Sequence, residues 1–488
     1  MTEFIPALRA GLHVEEDAIT DPDLGRRLRL DERFLAVARA LPGSVATVAE
    51  HAGVDAELVP RIAALLDTHH LLDTPTARTH AEEAARTEAI RTHDPDTVPL
   101  LIRDDAAFTC TMCGSCCGGH NIGPVLADTL DGLAPHMPRL ATAARLDQSP
   151  FYTLPGDPHD DPSALCRTQD GSCVFLDDDR KCLIHAMVGG EKKPRVCQLF
   201  PWEFKATPAG VAVTISNECR GFAEARGGQR LSEREADIRR LLRLVPGGRI
   251  EAVPALATLA PGAPVSFARW STVTDTMHAA LDAHTGDPMR AFVAMTEAVG
   301  ASDIRGDDDA LFADLASLCA AIKAALCALV QASEPPTDEL LVRNDGLALV
   351  TEALETLPRD LRRTLAPLER VEHGALFSAL MHHRLASHAL LEAKSVAHGL
   401  AWSVFGWLVG RASSVHRARQ VKRRHTTTQD LVDAVAPITF VLRAGRVRAA
   451  LRPFDEAVVD LFFHRLEALR VLGPAQAEAG LRLELHAS

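Results

Sequence analysis

Hydrophobic positions change their period about thirty residues from the start of the chain. Up to that point apolar and polar residues alternate, which predicts short half-buried strands. Beyond it apolar residues recur at helical spacing, and capping residues mark where each helix begins. We expect the first helix to begin after Asp31. Thr47 and Glu50 predict a capping box for a second helix that ends at Gly53, and Asp55 predicts the start of a third.

The rest of the chain divides by composition and period. Residues 77–98 are rich in threonine, alanine and charge, which predicts a linker. Downstream of residue 230 the sequence is rich in Ala and Leu at a 3.6-residue period, with Pro and Gly between the periodic segments. One apolar stripe consists of Leu311, Leu315, Leu318, Ile322, Leu326 and Leu329. We therefore expect a mainly α protein in three parts: a small module over 1–95, a cysteine-rich domain over 105–225 and an all-helical region over 230–488.

Composition excludes several classes of protein. A chain of 488 residues has room for roughly three domains, and 47% hydrophobic with 24% charged residues rules out wholesale disorder and fibrous repeats. The net charge of −13 repels nucleic acid and anionic membranes, which disfavours nucleic acid as a partner. The local exception is a basic region from Arg411 to Arg452, which is typical of a solvated helix face or of a site for an anionic partner.

The sequence also bears on localisation. The start, Met-Thr-Glu-Phe-Ile-Pro, lacks the cationic region and apolar core of a secretory signal. The apolar stretch Ser395 to Gly410 has 16 residues, fewer than the roughly 20 that cross a bilayer as a helix. We expect a cytoplasmic protein with no transmembrane segment, in which cysteines are thiols or metal ligands and not disulfides.

Nine of the eleven cysteines lie in one window, from Cys110 to Cys219. The window opens with C-x2-C-x2-C-C, in which Cys113, Cys116 and Cys117 follow Cys110. Two-residue spacers let successive thiolates turn back toward one centre. Glycines allow the positive φ angles that such a loop requires, and three are nearby: Gly114, Gly118 and Gly119.

A second block of cysteines is widely spaced. It consists of Cys166, Cys173, Cys182 and Cys197, with Cys219 after a predicted hairpin around Pro208-Ala-Gly210. Nine sulfurs allow two four-ligand sites with one left over. Four thiolates suit either tetrahedral zinc or an iron–sulfur cluster. Because structural zinc usually uses two matched C-x2-C pairs, the crowded quartet facing single cysteines favours iron–sulfur, with zinc as the alternative.

The cysteine motifs as a set resemble a known family. They are C-x2-C-G-x-C-C from Cys110, Cys173-Val-Phe-Leu176, Cys182-Leu-Ile-His185, Lys193-Pro-Arg-Val-Cys197-Gln-Leu-Phe-Pro201, and Cys219. This set resembles the YkgJ-type cysteine-cluster family of zinc- or iron-chelating domains, which is similar to the cysteine-rich region of flagellin lysine-N-methylases. The resemblance covers roughly residues 105–225, about a quarter of the chain.

The resemblance implies a ligand set and, in the methylase branch, an activity. It implies metal ligation by Cys110, Cys113, Cys116, Cys117, Cys173, Cys182, Cys197 and Cys219, with Cys166 as a ninth candidate. The methylase branch implies a 4Fe-4S cluster and methyl transfer from S-adenosylmethionine to lysines of a protein or peptide substrate. The sequence contains no glycine-rich S-adenosylmethionine loop after a predicted strand, so the residues themselves identify neither that cofactor's site nor a catalytic residue.

The order of strands and helices in residues 1–95 resembles winged-helix and PqqD-like modules. Such modules place a helix in DNA or hold a peptide against a strand edge. Residues 31–72 lack a basic recognition face, which favours peptide or partner docking.

Three functions are therefore expected, in descending order. The first is a metal-dependent methyltransferase of protein lysines. The second is a non-enzymatic protein in which a zinc or iron–sulfur centre has a structural or redox-sensing role. The third is transcriptional regulation through the N-terminal helices.

Overall fold

The protein is mainly α-helical, with several small sheets. The computed structural model of the chain describes residues 4–117, 122–153, 164–166, 168–169, 172–224, 228–245, 250–260, 263–300, 308–332, 344–362, 371–423, 425–443 and 445–465. The expectation of a mainly α fold is therefore confirmed.

Residues 4–72 form a module with its own core. Its strands are β1 (Phe4–Ile5), β2 (His13–Val14), β3 (Ala18–Asp21), β4 (Arg26–Arg29) and β5 (Gly43–Ser44). Its helices are α1 (Glu32–Ala40), α2 (Val45–Ala52) and α3 (Leu58–Thr68). Strands β2, β3 and β4 form an antiparallel meander and β1 pairs with β5, over a core that includes Ile19, Leu35, Val59 and Leu66. The resemblance to winged-helix and PqqD-like modules stays a prediction.

The predicted helix caps of this module are partly correct. The Asp31 carboxylate accepts the backbone N–H groups of Arg33 and Phe34, as expected of an N-cap. Gly53 ends α2 with φ at 66°, which only glycine adopts freely. The other two N-caps were predicted wrongly, because Ser44 caps α2 and Glu57 precedes α3.

The predicted linker over residues 77–98 is wrong, because most of it is helix α4 (Pro75–Arg91). Thr74 caps α4 and Pro75 occupies its first position, both favourable for helix initiation. The helix has almost no apolar stripe, and it is held instead by buried polar residues such as His80 and Glu83. Both Glu83 oxygens accept backbone N–H groups, from Phe267 at 2.7 Å and Ala268 at 3.1 Å.

The cysteine-rich part combines short strands and short helices. Its strands are β6 (Leu100–Leu101), β7 (Ile122–Val125), β8 (Phe151–Thr153), β9 (Ala164–Cys166), β10 (Thr168–Gln169), β11 (Ser172–Cys173), β12 (Trp202–Thr207) and β13 (Gly210–Ile215). Its helices are α5 (Ala127–Leu133), α6 (Met137–Ala143), α7 (Leu183–Met187), α8 (Arg195–Leu199) and α9 (Arg220–Glu224). The predicted hairpin is confirmed as β12 and β13.

The remaining helices carry the largest core. They are α10 (Glu235–Leu242), α11 (Phe267–Ala283), α12 (Pro288–Ala298), α13 (Asp308–Gln331), α14 (Asn344–Arg362), α15 (Val371–Ala386), α16 (Val396–Gln420), α17 (Thr428–Arg443), α18 (Gly445–Leu451) and α19 (Asp455–Phe462). The predicted stripe on α13 is buried from Leu311 to Leu326, and Leu329 packs at its edge.

The expectation that residues 230–488 are entirely helical is wrong. Three short strands occur in this part: β14 (Glu251–Ala252), β15 (Ala257–Ala260) and β16 (Ala263–Val265). Strand β14 pairs in parallel with β12, which completes a sheet in the order β14-β12-β13-β6. These strands are too short to give a periodic signal, and their pairing depends on the hairpin that tertiary contacts bring beside them.

The hairpin joins the cysteine-rich part to the helices. All six residues of β13 are buried, and Val211 and Val213 pack with Ile238 of α10. Gly210 permits close approach of the segment before β6, because a Cβ there would lie 2.6 Å from the Pro99 carbonyl oxygen. Ile215, at the end of β13, belongs to the large helical core.

One helix of the described residues, over Ala310–Gln331 in α13, is long and apolar enough to cross a membrane by length and composition. A single helix of this kind is weak evidence of a membrane span, because a core helix passes the same test. The 16-residue apolar stretch from Ser395 to Gly410 lies at the start of α16. Its residues Val396, Leu400 and Leu408 are buried among other helices.

We expect Glu83→Ala to lower the free energy of unfolding by about 1 to 3 kcal/mol, because two N–H groups at the start of α11 lose a charged acceptor. Urea denaturation checks this value. Glu82→Ala is the matched control, since Glu82 is exposed on the same helix and its loss should change stability by less than about 0.5 kcal/mol. Equal effects of the two substitutions would show that the carboxylate contributes nothing as a cap.

Candidate metal centre

The first four predicted ligands lie on one tight loop. Cys110 and Cys113 occupy irregular backbone, and Cys116 and Cys117 form a single 3-10 turn over residues 115–117. Gly114 has φ at 67°, and a Cβ there would lie 2.6 Å from the Arg180 carbonyl oxygen. Glycine is therefore required at this position both for its conformation and for space. The prediction that glycines in this loop adopt positive φ angles is confirmed at Gly114. Gly118 and Gly119 lie outside the described residues.

The turn between β11 and α7 packs onto this loop. The Arg180 Nε–H donates to the Cys113 carbonyl oxygen at 3.3 Å. Within the turn, the Asp177 carboxylate accepts the N–H of Lys181 at 2.7 Å, while Asp178 and Asp179 point to solvent. The acidic run therefore shapes a turn that positions Arg180 against the cysteine loop.

Three of the widely spaced cysteines meet Cys117 in one small core. Cys173 ends β11, Cys182 immediately precedes α7, and Cys197 lies within α8. Cys173 is buried in a cluster with Phe175 and Ile184, and Cys117, Cys182 and Cys197 pack against that cluster. Residues separated by eighty positions of sequence are thus brought together by tertiary folding.

Cys219 lies near the cysteine loop but belongs to a different core from Cys173. It follows β13 and belongs to the large helical core together with Phe222, whose N–H lies 3.4 Å from the Cys219 sulfur. Gly221 lets the two segments meet, because a Cβ there would lie 2.8 Å from Thr111 Oγ1, in the stretch between Cys110 and Cys113.

The thiols interact electrostatically in two sets of four. The outer thiol set consists of Cys110, Cys113, Cys116 and Cys219. Within it, Cys219 interacts with the other three. The inner thiol set is Cys117, Cys173, Cys182 and Cys197, in which Cys197 interacts with Cys173 and Cys182, and Cys117 interacts with Cys173 and Cys197. Cys116, which we count in the outer set, also interacts with Cys117 and Cys197, so it lies between the two sets.

Burial keeps the deeper thiols protonated. It raises the pKa of Cys197 to about 12, and the neighbouring sulfurs of the inner set add to this effect while Lys193 opposes it. The pKa of Cys219 is also raised to about 12 by burial, with a further contribution from the outer set. Burial raises the pKa of Cys182 too, against the hydrogen bond that its sulfur receives from the His185 N–H.

Cys116 and Cys117 couple the two sets. Their sulfur atoms lie 3.9 Å apart. The hydrogen bond from Cys117 lowers the pKa of Cys116 to about 6, and the positive charge of Lys193 also favours this thiolate. Donating that hydrogen bond, together with burial, raises the pKa of Cys117. Cys116 is therefore the sulfur of this pair that ionises at neutral pH.

One basic residue acts on both sets. Lys193 favours the thiolate forms of Cys116, Cys182 and Cys197. Arg195 instead pairs with Asp128 at 3.3 Å, and Lys192 is exposed. The three basic residues before Cys197 thus have different roles, and Lys193 is the one that faces the thiols.

The donor atoms suit zinc or iron. Soft thiolates in sets of four are the ligands of zinc and iron–sulfur centres. Among the described residues, no three Cys, His, Asp or Glu side chains converge closely enough to hold a metal ion in the present arrangement. Cys166 lies in β9, and its backbone pairs with that of Phe151 in β8. The side chain of Cys166 lies outside the described part of the chain, and so does the whole of His120, a histidine close to the cysteine motif. The ligand assignment, Cys166 included, stays a prediction.

The two cysteines outside the window behave as expected of structural residues. Cys319 is buried in the helical core on α13, and burial raises its pKa to about 12. Cys327, eight positions later, is half-buried on the same helix.

A polar cluster just upstream of the cysteine loop escaped the sequence analysis. Arg103 Nη1 lies 2.6 Å from His278 Nδ1 and 3.0 Å from His382 Nδ1, and the two imidazole rings stack. Asp282 accepts from His382 Nε2 at 3.0 Å. Burial, followed by the charge of Arg103, lowers the pKa of His278 to about 3, so both rings act as neutral acceptors for the guanidinium. The sequence did not predict this cluster because Arg103, His278 and His382 are far apart along the chain.

The basic region from Arg411 to Arg452 is largely neutralised by folding. Arg417 pairs with Asp433 at 2.9 Å, Arg423 with Asp430 at 2.5 Å, and Arg448 with Asp455 at 3.1 Å. Arg411 is buried. Three basic residues of this region are therefore held in ion pairs with acids that follow them in the sequence, and the choice between a solvated helix face and a site for an anionic partner stays a prediction.

Comparison with known proteins agrees with this geometry. Residues 109–219 match the model of the CxxCxxCC family, described as a putative zinc- or iron-chelating domain. No curated protein and no solved structure matches the chain. The matched segment begins one residue before Cys110 and ends at Cys219, so it contains both thiol sets. Residues 109–219, which we call the cysteine-cluster domain, therefore match this family over about a quarter of the chain.

Proposed function

We propose that the protein binds metal through two adjacent four-thiolate centres, and that these are iron–sulfur clusters. The observations that support the proposal are that Cys117, Cys182 and Cys197 pack against the cluster of Cys173, and that Cys219 lies beside the loop of Cys110 and Cys113, with Cys116 close to both groups. Each set has the number of sulfurs that a four-iron four-sulfur cluster requires.

The division of the sequence motif favours iron–sulfur over zinc. Three cysteines at C-x2-C-x2-C spacing, Cys110, Cys113 and Cys116, join one distant cysteine, while the next cysteine of the motif joins the other set. Bacterial two-cluster ferredoxins divide their cysteines in the same way, with the fourth cysteine of the run ligating the second cluster. A structural zinc site more often draws two C-x2-C pairs together.

A bound metal would also balance the negative charge that the cysteines carry as thiolates. Buried thiols whose pKa is about 12 carry protons at neutral pH, yet only thiolates ligate metal. Binding must therefore release protons and supply positive charge that offsets the mutual repulsion of the sulfurs. Lys193 alone offsets little of that charge.

The state of the cysteines fits the expected compartment. The ten cysteines whose side chains the structure describes are all free thiols. Thiols persist in a reducing environment, so we propose that the protein is cytoplasmic.

We expect the full-length protein, purified anaerobically, to contain iron and acid-labile sulfide in two centres. Cys219→Ser should remove the outer centre and Cys197→Ser the inner one, so that each substitution lowers the bound metal by about half. Metal analysis and the absorption spectrum measure this. Cys319→Ser is the control, because Cys319 is a buried cysteine on α13, outside the segment that matches the chelating family.

The outcomes separate the parts of the proposal. A colourless protein that contains zinc would replace iron–sulfur with zinc while keeping the two sets. If each single substitution removed all of the metal, the two thiol sets would be one centre. Full retention of metal in both variants would refute the ligand assignment.

A second candidate function is N-methylation of lysines on a protein substrate. It is supported by the resemblance of the cysteine motifs to the cysteine-rich region of the methylases, and by the exposed position of part of the loop that begins at Cys110. Cys110 and Cys116 are exposed, and Met112 between them is half exposed, so that a protein substrate could reach this side of the domain.

We expect the metal-replete protein to bind S-adenosylmethionine if it is a methyltransferase, with a dissociation constant measurable by calorimetry under anaerobic conditions. Unaltered protein from which the metal has been removed is the comparison that tests whether binding depends on the metal. An absence of heat with metal-replete protein would eliminate the methyltransferase and leave a structural or redox-sensing role.

A further inference from the structure

A cluster of Arg103, His278 and His382 connects the chain that leads into the cysteine loop with the C-terminal helices. Arg103 belongs to a turn in which the Ala106 N–H donates to the Arg103 carbonyl oxygen at 3.1 Å. This turn lies between β6 and Cys110, whereas the two histidines lie on α11 and α15. We name the three residues the Arg103 latch.

All three nitrogens of the Arg103 guanidinium have acceptors. Nε and Nη2 donate to the two Asp105 oxygens at 2.8 Å and 2.6 Å, and Nη1 donates to His278 Nδ1 at 2.6 Å and His382 Nδ1 at 3.0 Å. An imidazole accepts a hydrogen bond only at a nitrogen that carries no proton, so both rings must be neutral with Nδ1 unprotonated. His382 then carries its proton on Nε2, where Asp282 accepts it at 3.0 Å.

The two imidazole rings also contact each other. They are stacked with their centroids 5.0 Å apart, and their Nδ1 atoms lie 2.7 Å apart. A proton on His382 Nδ1 would turn this atom from an acceptor into a donor and would repel the guanidinium. His278 Nδ1 is close enough to accept the new N–H, and the Asp282 carboxylate already faces the other side of the ring. The cluster therefore has two arrangements, of which only the neutral one holds Arg103.

The surroundings of the two rings favour the neutral arrangement. The charged and titratable groups that act on His278 are Arg103, His382, Asp105 and His388. Those that act on His382 are Arg103, Asp282 and Asp105. Burial is the largest effect and lowers the pKa of both rings, that of His278 to about 3. Since the side chains of Asp105 and Asp282 are 66% and 68% exposed, the cluster borders solvent, from which protons can reach it.

Two further buried histidines near the cluster have other partners. His383 Nδ1 accepts the Ile215 N–H at 3.4 Å, and His388 Nδ1 accepts the indole N–H of Trp270 at 3.0 Å. Burial lowers the pKa of each to about 4. Because they also gain protons in acid, variants at His278 and His382 are needed to separate the latch from them.

We propose that the Arg103 latch is an acid-sensitive device, which fixes the turn before the cysteine loop to α11 and α15 while both rings are neutral and releases it when either ring takes up a proton. The direction follows from the two states of His278. Its pKa is about 3 in the closed latch, against an ordinary value of 6.5 once the ring faces water. The open form therefore binds protons more readily, and between these values acid shifts the equilibrium toward it by about tenfold per pH unit for each proton taken up. The latch does not depend on the proposed function.

Hydrogen exchange of the full-length protein, followed by mass spectrometry at pH 7 and pH 5, tests the latch. The reporter is a peptide that contains the backbone N–H groups of Ala106 and Phe108, which donate to the carbonyl oxygens of Arg103 and Gln229. After correction for the intrinsic effect of pH on exchange, we expect its protection to fall about tenfold or more on acidification. A peptide from α13, a buried helix without histidine, is the internal reference and should change less than about twofold.

Two variants assign the response to the latch. The double substitution His278→Gln with His382→Gln keeps an oxygen that can accept from Arg103 but no group that titrates, so protection of the reporter peptide should no longer depend on pH. Arg103→Met removes the guanidinium, and NMR of the imidazole signals should then show His278 gaining its proton above pH 5, where the ring of the unaltered protein stays neutral. Arg239→Met is the matched control, because Arg239 binds the Pro95 carbonyl oxygen in the preceding segment at 2.8 Å and should leave the His278 titration unchanged.

Three results would overturn the proposal. One is unchanged protection of the reporter peptide in the unaltered protein between pH 7 and pH 5. Another is an equal loss of protection in the double glutamine variant, which would assign the acid response to other groups. The third is a His278 titration that is the same with and without Arg103, which would leave Arg103 a structural role only. Since the exchange measurement uses the unaltered protein, a variant that fails to fold does not prevent the test.

Discussion

Mutual repulsion between crowded sulfurs is the constraint on which the cysteine-cluster domain depends. Eight thiols lie in two interacting sets, and burial together with neighbouring sulfurs raises the pKa of the deeper ones. The deeper thiols, Cys117, Cys182, Cys197 and Cys219, can be packed closely because burial raises each pKa and so favours the neutral form. Cys116 differs from them, since Cys117 and Lys193 both favour its thiolate. A metal that binds thiolates must reverse this balance, so ligand affinity and proton release are linked in this domain.

The two sets are anchored differently. The inner set packs in a small core of its own with Phe175 and Ile184, whereas Cys219 of the outer set belongs to the core of the C-terminal helices. The same short segment carries Asn217, whose amide N–H donates to the Leu380 carbonyl oxygen of α15 at 3.0 Å. The described structure therefore joins the cysteine-cluster domain to the helices through packing as well as through the chain.

The distribution of buried polar groups follows the same logic. Glu83 on α4 accepts two N–H groups at the start of α11, and Arg103 is held between two neutral histidines. Each contact satisfies a buried polar atom with a partner that is distant in sequence, as burial requires.

The sequence by itself determined the features that depend on local spacing. The stripe on α13, the β12–β13 hairpin, the Asp31 cap and the glycine at position 114 all follow from periods, propensities and conformations within a few residues. Tertiary structure alone decided which four thiols face one another, and that α4 is a helix held by buried polar contacts. The physical reason is that these features rest on partners tens to hundreds of residues away, and no local pattern records which distant side chain will fill a given space or satisfy a given charge.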